Sequence, residues 1–102
     1  MLNTTIKNEN GDILVILEGK LDTLTAPEFE KELEPILTDA KSLTIDVEKV
    51  GYISSAGLRT ILAAEQYMED KDLPDVKIIN LNEVVTDIFE VTGFDKMVDV
   101  EK

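Results

Sequence analysis

The chain has 102 residues, 43% hydrophobic and 31% charged, the size and balance of one small globular domain with a modest core. It contains neither cysteine nor histidine, which excludes disulfides, thiolate metal sites, cysteine nucleophiles and Ser-His-Asp catalysis. A net charge of −12 sets the chain against phosphate backbones and anionic membranes, and steers it toward a basic surface on another protein.

The predicted elements follow one another without a linker, repeat or low-complexity tract. Residues 3–9 alternate weakly and end at Asn10-Gly11, the strongest short-range signal for a two-residue hairpin turn. Ile13 to Leu17 is an unbroken apolar run, as expected of a strand buried on both faces, and Gly19 and Asp22 then break it. Thr25 and Glu28 have capping-box spacing and Pro27 falls in the first turn, so a helix begins there. Phe29, Leu33, Ile36 and Leu37 lie on one face of that helix, and Pro35 is expected to kink it or end it early. The acidic residues Glu28, Glu30, Glu32 and Glu34 form its solvated face.

Leu43 to Val47 reads as a short strand, followed by a loop through Gly51. A second helix is predicted from Ser55 to about Glu69, with Leu58, Ile61 and Leu62 facing inward. Pro74 punctuates, and Val76 to Ile79 is a further strand. The third helix starts at Asn80 or Asn82, carries Val85, Ile88 and Phe89 as its apolar stripe, and stops at a left-handed Gly93. Phe94 then packs back on Phe89, and a last short strand is predicted near Met97 to Val100. Strands alternating with helices imply right-handed crossovers and a largely parallel sheet, to which the hairpin adds an antiparallel edge. The predicted fold is a small α/β domain with a mixed, mostly parallel sheet, an N-terminal β-hairpin and three main helices.

Chemistry concentrates in one segment, Val50-Gly51-Tyr52-Ile53-Ser54-Ser55-Ala56-Gly57-Leu58-Arg59. Two serines stand where a loop hands over to a helix. They suit N-capping, because a serine oxygen accepts from the free N–H groups of a first turn. The same helix end favours a phosphate, so a serine there also suits phosphorylation. Gly57 is expected to leave the surface low enough for a protein to approach. Arg59 stands four residues after Ser55, within reach of a phosphate on it. Asp22, after an earlier strand, suits either an Asx-type turn or a place beside the serines at one sheet edge. Asp46 lies within a strand, but no adjacent acidic pair accompanies it to hold magnesium as a receiver domain does.

With these residues in view, Tyr52 to Leu62 (YISSAGLRTIL) resembles the signature of bacterial anti-sigma factor antagonists, the STAS domain family. Gly19-Lys20-Leu21-Asp22 is similar to that family's Gly-x-Leu-Asp motif, and the order of elements agrees along residues 3–98. The resemblance implies a single STAS domain over residues 1–102. Family members typically carry Asp-Ser-Ser/Thr-Gly-Leu, with the serine after the aspartate phosphorylated. Anchored on Gly57-Leu58, the acceptor is Ser55, with Ser54 at the aspartate position and Ala56 at the second hydroxyl position. Ser54 is therefore the alternative acceptor.

What the resemblance implies is a non-enzymatic switch in bacterial transcription regulation, without catalytic residues, metal or cofactor. Its partner would be an anti-sigma factor that is also a serine kinase of the histidine-kinase-like ATPase fold. Unphosphorylated protein would bind it through Asp22, Ser54, Ala56, Gly57, Leu58 and Arg59. Phosphorylation would end the binding, and a metal-dependent serine phosphatase would restore it. The alternative is a STAS-like interaction scaffold that is never phosphorylated. Because no apolar run nears the roughly 18 residues of a membrane span, and Met1 to Asn10 lacks a signal-peptide core, a cytoplasmic location is expected.

Overall fold

The computed structural model describes residues 2–101, which form strands β1 (Leu2–Glu9) and β2 (Asp12–Leu21), helix α1 (Ala26–Leu37), β3 (Ser42–Ile53), α2 (Ser55–Asp70), β4 (Lys77–Ile79), α3 (Glu83–Thr92) and β5 (Asp99–Glu101). A single 3-10 turn, Phe94–Lys96, separates α3 from β5. The sheet is mixed as predicted, β1-β2 antiparallel and the rest parallel, and its five strands lie in sequence order. The hairpin turns at Asn10 and Gly11, whose φ of 57° and 97° are the paired positive values that a type I′ turn demands.

Each parallel crossover advances one strand in the same direction. With a common right hand, that places α1, α2 and α3 on one face of the sheet. Burial agrees: Ile13, Val15 and Leu17 are fully enclosed, whereas the alternate Leu14 and Ile16 are half-buried on the helix-free face. The expected burial of this strand on both faces is therefore corrected, because the topology supplies no helix for the second face. The core lies in the single layer between sheet and helices, filled by Phe29, Phe89, Leu17, Ile45, Ile61 and Met68 among others.

Three further expectations are corrected. The strand after residue 43 does not stop at Val47. β3 continues through Gly51 to Ile53 because β2 also continues past Gly19, and the two hold each other at Gly19↔Val50, Lys20↔Tyr52 and Leu21↔Ile53. Gly19 takes φ 116° at a register shift, so it bends β2 without ending it. Of the two effects expected of Pro35, an early end does not occur: α1 runs on to Leu37. Lys31 and Pro35 are both exposed, so the carbonyl that proline cannot bond is left to water. Finally, α1 is not capped by Thr25, whose backbone is already helical and makes no side-chain cap. Asp22 takes that part: its Oδ1 accepts from the N–H groups of Leu24 and Thr25, both at 3.0 Å.

At the other end of the chain the local predictions hold. Asn82 caps α3 by accepting from the Val85 N–H at 2.9 Å, and Gly93 closes it at φ 75°. Phe94 packs against Phe89 with ring centroids 5.1 Å apart and the ring planes tilted by 57°.

Candidate functional site

In a parallel sheet the helices that follow the strands begin at the strands' C-terminal edge, so their N-termini gather there. Here that edge carries the β2–α1 turn with Asp22, the β3–α2 junction with Ser54 and Ser55, and the β4–α3 turn ending at Asn82. The residues singled out in the sequence are thus brought together by topology.

The first two turns are tied directly. The Ser54 N–H donates to the Leu21 carbonyl at 2.9 Å, one residue before Asp22. Asp22 is locked by a local network: its N–H donates to Thr25 Oγ1 at 2.9 Å, and the Thr25 hydroxyl lies 2.8 Å from the Lys20 carbonyl, to which it donates. The Asx-type turn is therefore what Asp22 builds. The hydrogen bond from the Thr25 N–H, foremost among several, holds its carboxyl below the ordinary carboxylate value.

Gly57 corrects an expectation. It is buried, not a low point of the surface. A Cβ on it would stand 2.7 Å from both the Leu21 carbonyl oxygen and the Leu21 Cγ, and 3.0 Å from Ile53 Cγ2. Only a residue without a side chain lets the first turn of α2 settle on the end of β2. Its contribution to the site is close approach, which seats Ser55 beside Asp22's turn.

The two serines are given different tasks. Ser54 is extended, at φ −85° and ψ 173°, half-buried, and its Oγ accepts from the Gly57 N–H at 3.4 Å as the cap of α2. Ser55 is exposed and takes no part in the cap. The first turn of α2 contains no acidic residue of its own, so no carboxylate within that turn compensates its positive end. Arg59 is exposed and lines a cleft between α1 and α2 with Thr23, Glu30 and Ala56. Leu58 and Leu62, expected inside, are only half-buried; the enclosed face of α2 is Gly57, Thr60, Ile61, Ala64, Glu65 and Met68. Asp46 lies back along β3, where it accepts from the Glu48 N–H and from Asn80 Nδ2.

Exposed apolar side chains gather along the edge that carries Ser55 in a way the sequence did not disclose. Leu24 is 83% exposed on the Asp22 side, Tyr52 48% just before the serines, and Val91 87% on α3. Tyr52, Leu58, Ile88 and Val91 border an open cleft of about 340 Å³ that reaches Ser55 and Asp87. Along α3 the exposed Val84 and Val91, with half-buried Ile88, recur at i, i+4 and i+7, a second apolar stripe besides the buried one of Val85 and Phe89. The one available signal was that spacing, which the buried stripe's own periodicity obscured. Among the described residues no three potential ligand side chains cluster to hold a metal, and no helix is long and apolar enough to cross a membrane.

This fold and edge are those of a STAS domain. The family model described as "Mlab, STAS domain" matches residues 5–99, and the chain belongs to that family. The chain is similar to the anti-sigma-B factor antagonist of Bacillus subtilis, 28% identical over 99 residues that span 97% of this chain and 90% of that one. Among solved structures, an anti-sigma factor antagonist from Mycobacterium paratuberculosis superposes with a TM-score of 0.82 at 22% identity, covering 99% of this chain and 86% of the other. The Bacillus cell fate determinant SpoIIAA in its phosphorylated form matches at TM-score 0.76 and 12% identity, covering 98% and 92% of the two chains.

Proposed function

We propose that the chain is an anti-sigma factor antagonist that binds an anti-sigma factor over the edge carrying Ser55, and that phosphorylation of Ser55 ends the binding. The relative named as an anti-sigma-B factor antagonist supports the first part over nearly the whole chain. The observation that carries the second is the division of labour between the serines: Ser54 is held in the helix cap, while Ser55 is exposed at the positive end of α2 among exposed apolar side chains. The anti-sigma factor is read as a serine kinase of the histidine-kinase-like ATPase fold, with a metal-dependent serine phosphatase as the reversing enzyme. ATP belongs to the kinase, and this chain works by binding, not catalysis.

The switch is electrostatic. Unmodified Ser55 is small and neutral, so a partner can pack on it and on Leu24, Tyr52 and Val91. A phosphate adds about −1.5 to −2 charges, which the N–H groups at the start of α2 and the Arg59 guanidinium stabilise on the free protein. Against the partner the same anion is desolvated and imperfectly paired, at a cost of several kcal/mol. Each ~1.4 kcal/mol is tenfold in affinity.

The test is phosphorylation and calorimetry with the cognate anti-sigma factor. Ser55→Glu and Ser55→Asp are expected to bind about tenfold more weakly or worse. Ser55→Ala should bind constitutively and resist phosphorylation, and Ser54→Ala should still accept phosphate. Phosphorylation of Ser55→Ala would move the acceptor elsewhere. The replacement of the family's aspartate by Ser54 favours a second reading, a scaffold that is not phosphorylated, and the outcome for it is tight binding with no phosphate on the wild-type protein.

A further inference from the structure

Glu65 is a carboxylic acid where the fold has little use for a charge. It sits on the enclosed face of α2, 4% exposed, among the residues that pack on the sheet. Its Oε1 accepts from the Val76 N–H at 2.6 Å. The Val76 carbonyl in turn accepts from the Asp99 N–H at 2.9 Å, so the same residue fastens the entries of both β4 and β5. The charged groups that act on Glu65 are Asp75, from the segment entering β4 and within side-chain hydrogen-bonding reach, and Glu69, one turn further along α2. All are acidic. Among the described residues the ion pair formed is Lys77 with Glu101, and no cation pairs with Glu65.

Two adjacent carboxyl groups, one of them buried, are satisfied when one proton is shared between them. We propose that Glu65 binds a proton from water and donates it in a hydrogen bond to Asp75, making a proton-dependent latch that holds the start of β4 onto α2. With Glu65 neutral, its carbonyl oxygen still accepts from Val76 while its hydroxyl donates to the Asp75 carboxylate. With both ionised, like charges face each other at the buried end of the latch, and among the described residues the Val76 N–H is the donor that compensates them. Burial raises the Glu65 carboxyl above its ordinary value of 4.5, the Val76 N–H opposes this, and Asp75 and Glu69 add to the rise. A raised acid contributes stability that is full below the unfolded-state value and is lost as pH climbs through the folded one. The latch therefore tightens on mild acidification and loosens toward alkaline pH. It is separate from the serine edge: Glu65 is ten residues along α2 from Ser55, about 15 Å of helix.

The test compares urea unfolding of the wild-type chain and Glu65→Gln between about pH 4 and 8, a window that brackets the ordinary glutamate value. The ratio of the two unfolding constants is expected to drift with pH, with the wild type losing ground as pH rises. Parallel curves would overturn the proposal. Since Glu65→Gln removes a buried group, a second measurement follows the Glu65 carboxyl carbon by NMR titration of the wild type and of Asp75→Asn, whose site is exposed. A wild-type midpoint above the ordinary glutamate value, falling in Asp75→Asn, is the expected result. A midpoint at or below that value, or one that Asp75→Asn leaves in place, would overturn the pair.

Discussion

Gly57 lies so close to Leu21 that an added Cβ would stand 2.7 Å from the Leu21 carbonyl oxygen. Its neighbour there is partly backbone, which cannot rotate away as a side chain can. Gly57→Ala should therefore destabilise the protein by about 1–3 kcal/mol, as overpacking does elsewhere. Leu21→Ala in the same chain should relieve only the contact with Cγ and leave the carbonyl contact. Urea denaturation of the two single variants and the double measures this. Full rescue by Leu21→Ala would mean the clash is with the side chain alone.

The two serines should separate on stability before any partner is added. Ser54→Ala removes the oxygen that accepts from the Gly57 N–H and should cost about 1 kcal/mol, the usual value of an N-cap. Ser55→Ala touches an exposed hydroxyl outside the cap and should stay within about 0.5 kcal/mol of wild type. Thermal or urea unfolding of both variants decides it, and the reverse order would transfer the cap to Ser55.

Asp22 makes its turn as a carboxylate. Its pKa is depressed below the ordinary 3.8, chiefly by the Thr25 N–H, so its contribution is present above that value. That contribution is lost as pH falls through the lower folded value. Asp22→Ala lacks it at every pH. The stability gap between wild type and Asp22→Ala should accordingly be wide near pH 7 and narrow near pH 3, as read from urea unfolding at the two pH values. A gap that is constant with pH would show that the carboxylate charge is idle.

Asn82 joins α3 to the bend of β3. Its Oδ1 caps the helix, while the two hydrogens of its Nδ2 are shared among the carbonyls of Val47 at 3.2 Å, Glu48 at 3.0 Å and Val50 at 2.7 Å. Asn82→Ala should lose the cap, about 1 kcal/mol, and leave half-buried carbonyls short of a donor, about 1–3 kcal/mol more. Asn82→Asp keeps a capping oxygen but turns a carboxylate toward three carbonyl oxygens. If the donors matter more than the cap, Asn82→Asp should be no more stable than Asn82→Ala at neutral pH. Chemical denaturation of both variants checks the order, and a near-native Asn82→Asp would assign Asn82 to capping alone.

Local chemistry accounts for what was legible in the sequence itself. A type I′ turn needs two positive φ values and finds them at Asn10-Gly11; α3 needs an acceptor at its start and a left-handed stop, found in Asn82 and Gly93. Both requirements are met within a few residues, so spacing discloses them. The pairing of two serines with a helix start was readable for the same reason. The tertiary structure decided everything that depends on a neighbour distant in the chain. β2 and β3 outlast their glycines because each supplies the other's hydrogen bonds. The second face of β2 stays open because all three crossovers pass on the same side. The turn at Asp22 meets the serines because the Ser54 N–H reaches back across the sheet to the Leu21 carbonyl. Gly57 is enclosed by Leu21 and Ile53, and Glu65 is buried under Val76, because α2 must lie against the sheet at close range. Residue type shows which side chains are able to cap, turn or carry charge. Only the packed chain, by excluding water from some and leaving others exposed, separates Ser55 from Ser54 and Glu65 from the acidic residues of the surface.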